Sequence, residues 1–135
     1  MPHLISFTSS AFDPAAEPEN PFNPIAGQAV LAWLRGQLVE AGLDVTEPGP
    51  EDWGWYVDVT TADGNYLVGA TLEGEPDEEG RTAFDWILQI HRMRSMRDKL
   101  FGRNKMTEED PLAARIETIV RGHPDVGDVD IQHSA

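Results

Sequence analysis

Cysteine is absent from this 135-residue chain. That excludes disulfides, thiolate nucleophiles and cysteine-ligated zinc. Long apolar runs are absent too. Nothing approaches the stretch of about 18 apolar residues that a membrane-spanning helix needs, so no membrane role is expected. The start, Met1-Pro2-His3-Leu4-Ile5, has neither a basic region nor a long apolar one. It predicts no signal peptide and a cytoplasmic location. Serine is scarce, and none of Ser6, Ser9, Ser10, Ser95 and Ser134 lies in a Gly-x-Ser-x-Gly elbow. The histidines (His3, His91, His123 and His133) show no His-Glu-x-x-His or His-x-His spacing. No catalytic residue, metal site or cofactor is therefore assigned from motifs.

Positive charge is the other scarcity. Ten Lys and Arg stand against 24 Asp and Glu, a formal charge of -14, with a pI near 4.4. Such a chain should be repelled by nucleic acid and anionic membrane surfaces and drawn to a basic protein. The charge is unevenly placed. Residues 91–105 hold six of the ten basic residues (Arg92, Arg94, Arg97, Lys99, Arg103 and Lys105) and one acid, Asp98, for a net +5. The remainder, four basic residues against 23 acidic ones, carries -19.

Aromatic residues gather at Glu51-Asp52-Trp53-Gly54-Trp55-Tyr56-Val57-Asp58-Val59. The alternation places Trp53, Trp55, Val57 and Val59 on one side and Gly54, Tyr56 and Asp58 on the other, which predicts a half-buried central strand. Before it, residues 4–8 read as a short strand near a sheet edge. Residues 12–24 form a loop with four prolines, which Phe12 or Phe22 should pin to the body. Asn23-Pro24 reads as the cap and first turn of a helix ending near Ala41, with Gly42 as its stop. Its stripe is Ala26, Val30, Trp33, Leu34, Leu38 and Ala41. Gly27 and Gly36 within it suggest close packing on a sheet.

After Asp63-Gly64, a hairpin signal, residues 66–72 and 82–91 alternate as two further strands. Between them, residues 73–81 form an acidic hairpin tip. Met93, Met96, Leu100 and Phe101 fit a helix of two turns. The last helix starts at Thr107 or at Asp110-Pro111 and stops at Gly122. Residues 126–131 read as a final strand, and 132–135 as a frayed tail. The expected fold is a single α+β domain: a two-layer sandwich with a mostly antiparallel sheet of about four to five strands, in the order β-α-β-β-β-α-β, and helices on one face.

Three functions follow. The first is a non-catalytic acidic interaction module, such as an immunity-type inhibitor or an adaptor, that binds a basic protein. It would bind through Glu51, Asp52 and Trp53 at the aromatic strand's entrance and through Glu75, Asp77, Glu78 and Glu79 at the acidic tip. The second is a regulator binding a small anion or nucleotide through Arg92, Arg94, Arg97, Arg103 and Lys105. Residues 101–105 lack the glycine spacing of a phosphate loop. The third is an enzyme on the polar sheet face, if Asp58 and Asp85 meet near His91. Nothing in the sequence fixes the oligomeric state.

Overall fold

The structure, a computed structural model, describes residues 3–74, 82–103, 105–107 and 109–133. Five long strands carry the sheet: β1 (His3–Ser9), β4 (Gly54–Thr61), β5 (Gly64–Glu73), β6 (Phe84–Arg92) and β7 (Val126–His133). Two short pieces, β2 (Asp44–Val45) and β3 (Gly49–Glu51), both pair with β4. The sheet thus has seven strands instead of four or five, in the order β2-β4-β5-β6-β1-β7 with β3 also on β4. Every described pairing is antiparallel. The two short pieces behave as one edge strand broken at Pro48. Thr46 still pairs with Asp58, but Gly49 faces Tyr56, so one extra residue bulges out where proline cannot donate.

The aromatic strand is β4. It lies next to the edge and not at the centre, which belongs to β5 and β6. The returning chain after β6 does not simply extend the meander. β1 inserts between β6 and β7 and supplies the sheet's other half.

Helices α1 (Gln28–Glu40) and α3 (Pro111–Gly122) bury one face of this sheet. Val30, Leu31, Leu34 and Leu38 of α1, with Leu112, Ala113, Ile116 and Val120 of α3, join a single core. The sheet contributes Ile5, Phe7, Trp55, Val57, Val59, Tyr66, Val68, Trp86, Leu88 and Ile90. These are the alternate positions that the period-two pattern predicts. The expected α+β arrangement, with helices on one face, is present.

Several boundaries differ from the sequence reading. α1 begins four residues after Pro24, because the loop supplies its own cap. The Glu17 carboxylate accepts from the amides of Gly27, Gln28 and Ala29 at 2.9–3.2 Å. Asn23 instead donates to the Asp52 carbonyl. Gly27 does pack closely, its Cα against the Ala70 carbonyl, whereas Gly36 faces open space. Of the two loop aromatics, Phe12 is buried against Phe7, Trp33, Trp86 and His123, and Phe22 is exposed.

α3 starts at Asp110, whose Oδ1 accepts from Leu112 and Ala113. Gln132 and His133 are not frayed but pair with Leu4 and His3. The segment after β6 forms a single short helix, α2 (Met96–Leu100), closed by a capping box between Ser95 and Asp98. It buries none of its residues. Glu75, Asp77, Glu78 and Glu79 lie outside the described residues.

Candidate functional site

The sheet face opposite the helices has no covering layer among the described residues. The registers place its side chains in rows across the strands. One row runs Asp58, Leu67, His91; the next Tyr56, Gly69, Gln89, Leu4. A third aligns Thr71, Ile87 and Ser6, and a fourth Glu73, Asp85 and Thr8.

Trp53 belongs to this open face. Alternation alone would put it beside Trp55 in the core. The chain departs from alternation at Gly54, whose φ of 147° lies in the region that favours glycine. A Cβ there would also stand 2.4 Å from the Ala70 carbonyl oxygen. The reversal carries Trp53 onto the outer face, where its ring covers Gly69. A Cβ on Gly69 would lie 2.6 Å from Cη2 and Cζ3 of that ring.

The turn that presents Trp53 is tied from three directions. Asn20, which is buried, donates to the carbonyls of Glu51 and Gly54 at 2.9 and 3.0 Å. Asn23 donates to the Asp52 carbonyl at 2.9 Å. Thr71 donates through Oγ1 to the Trp53 carbonyl at 3.0 Å. A ring held this way loses little conformational freedom when something docks on it.

Trp53, Leu67, Gln89, His91 and Met93 enclose a shallow hollow of about 370 Å³. His91 Nε2 and Gln89 Oε1 lie 2.8 Å apart, a hydrogen bond in which the imidazole N–H donates. Burial holds the imidazole below its ordinary pKa of 6.5, so the ring is neutral at pH 7. Two exposed carboxylates lie next to its lining residues: Asp52 precedes Trp53 in the chain, and Asp58 pairs with Leu67. The hollow is therefore largely apolar, with one aromatic wall, one neutral polar pair and carboxylates outside it.

Comparison with protein-family models, with curated proteins and with solved structures returned no match.

The pair expected for acid–base work does not assemble. Asp58 shares a row with His91, separated from it by Leu67. Asp85 lies six residues along β6 from His91, about 20 Å away at strand rise, and accepts from Thr8 Oγ1 at 2.6 Å. Among the described residues no group of three or more His, Cys, Asp and Glu side chains could hold a metal ion.

The basic segment divides. Arg92 faces inward with only 11% side-chain exposure. Its Nη1 donates to the Tyr66 hydroxyl at 2.5 Å and meets Asp110 Oδ2 at 3.4 Å, while Nη2 donates to the Asp63 carbonyl. Tyr66 in turn donates to Asp110 at 2.8 Å. Burial, with the neighbouring Asp110 carboxylate, raises the Tyr66 pKa well above 10.0. This network joins β5 and β6 to the cap of α3. Arg94 donates to the carbonyls of Arg103 and Asp98 and closes the α2 loop. Arg97, Lys99, Arg103 and Lys105 are exposed.

Of the residues singled out from sequence, Trp53 and His91 line one hollow, Asp58 pairs with its Leu67, Asp52 precedes Trp53, and half-buried Glu51 ends the adjoining β3. Leu67, Gln89 and Met93 were not expected there. Gly69 was the available signal, since a glycine inside a strand marks a close approach.

Proposed function

We propose that this chain is a non-catalytic acidic interaction module that docks a basic protein partner on its helix-free sheet face. The observation that carries the reading is Trp53, fixed over Gly69 by Asn20, Asn23 and Thr71 and backed by Leu67, His91 and Met93. Interfaces concentrate their affinity in such anchored aromatic sites with a polar rim. Asp52 and Asp58 give that rim the sign that attracts Lys and Arg, and an arginine over the indole adds a cation–π contact. The -19 carried outside residues 91–105 would steer a basic partner from a distance. An immunity-type inhibitor or an adaptor fits this chemistry.

The test is capture from the native host by the wild-type protein and by Trp53→Ala, at low and at high salt. The reading expects a basic protein captured at low salt, weakened by salt and lost with Trp53→Ala. Binding indifferent to both changes overturns it.

An anionic small ligand on residues 92–105 is the second reading. Arg92 and Arg94 already spend their guanidiniums within the chain, which leaves Arg97, Arg103 and Lys105 to hold such a ligand. Thermal melts with inorganic phosphate and nucleotides test it. Unchanged melting at ligand concentrations far above any useful Kd overturns it.

A further inference from the structure

The loop and helix after β6 expose four large apolar side chains within nine residues. Met93 is 53% exposed, Met96 84%, Leu100 79% and Phe101 63%. A solvent-facing cluster of this kind marks an interaction surface. Its short helix is nevertheless well built, with a reciprocal Ser95–Asp98 cap and with Arg94 bridging to the Arg103 carbonyl. The chain thus spends specific hydrogen bonds on presenting apolar groups to solvent. Arg97, Lys99, Arg103 and Lys105 lie among them, so the knob is basic as well as apolar.

We infer that this knob docks on the Trp53 hollow of a second copy of the chain, in a two-fold dimer. Three observations favour this occupant. The hollow has the complementary chemistry: an apolar lining with Asp52 and Asp58 outside it. The body that surrounds it carries -19 against the +5 of the segment bearing the knob. The two surfaces also adjoin. Met93 is both a wall of the hollow and the first exposed residue of the knob. Met96 follows within a chain reach of about 10 Å. When knob and hollow are neighbours, one two-fold rotation seats each knob on the other copy's hollow and closes the assembly. An anionic bilayer would also attract a basic, apolar loop, but it would repel the -19 body.

The inference shares its hollow with the partner reading above but not the knob, so the two can fail separately. Sedimentation velocity over about 1 µM to 1 mM should show a monomer–dimer equilibrium. Leu100→Ser with Phe101→Ser, both exposed and so compatible with folding, should weaken it at least about tenfold while leaving capture of a basic partner in place. A charge exchange then tests the pairing itself. Arg97→Glu with Lys99→Glu, and separately Asp52→Lys with Asp58→Lys, should each be monomeric alone and should associate when mixed, because the mixed dimer restores both contacts. A wild-type monomer across the range, or mixing without association, overturns the inference. Flotation with phosphatidylserine vesicles is the control. Vesicle binding by a protein that stays monomeric assigns the knob to lipid and overturns the second-copy reading.

Discussion

A methyl group at Gly69 has no room beneath the Trp53 ring, which would stand 2.6 Å away. Gly69→Ala therefore lifts the indole off β5 without touching any hydrogen bond of the turn. The expected outcome is a shifted Trp53 indole N–H resonance with that of Trp86 unmoved, and a stability loss of about 1 kcal/mol in urea titration. His91 gives a second effect at this scale. Its folded pKa is depressed by burial, so below pH 6.5 the unfolded chain binds more protons than the folded one. The contribution is complete above pH 6.5 and is lost as pH falls towards the folded value. His91→Gln should remove that part of the acid-side decline, which denaturant midpoints at pH 7 and pH 5 would reveal.

Elements here are positioned by side chains that reach across from loops. The N-terminus of α1 is satisfied by Glu17, ten residues before Gly27, so the proline-rich loop and the helix are locked together. Glu17→Ala leaves three amides without that acceptor. It should cost about 1–2 kcal/mol and speed hydrogen exchange at Gly27, Gln28 and Ala29 while Leu34 and Leu38 stay protected. The start of α1 was misplaced from sequence for the same reason. Asn23-Pro24 has the composition of a helix start, but a carboxylate arriving from outside the local window outcompeted it. For α3 the sequence offers two starts, Thr107 and Asp110-Pro111, and the structure takes the second, in which Asp110 and Pro111 act within their own turn. In α2 the spacing of Met96, Leu100 and Phe101 marked a helix, but spacing says only that apolar groups share a face. Whether anything covers that face depends on the rest of the fold.

For the whole molecule, one continuous core runs between the sheet and both long helices. The charge is the opposing feature. Ion pairs such as Arg35–Glu47 and Arg121–Glu117 are largely exposed and contribute little, while a net -14 repels itself throughout the compact state. Raising ionic strength from about 10 mM to 150 mM should therefore raise the melting midpoint, by roughly 3 °C. A fall on adding salt would show that attractive pairs dominate instead.

Local periodicity and composition are legible along the chain, and they account for part of the fold. They set the five long strands and which of their faces is apolar, the hairpin between β4 and β5, the stop of α1 and the two-signed charge, and they narrowed the cap of α3 to two candidates. Tertiary structure decided what depends on distant partners. It threaded β1 between β6 and β7 and moved the aromatic strand off centre. It separated Asp58 from Asp85 and drew Arg92 inward to Tyr66 and Asp110. It also turned Trp53 out of the core row. The physical reason is common to all of these. Period-two and 3.6-residue patterns report which side of an element is apolar, whereas register, strand order and long-range hydrogen bonds arise between segments tens of residues apart. The Trp53 hollow is made of β4's entrance, β5 and β6 together, so it exists only once those strands are paired.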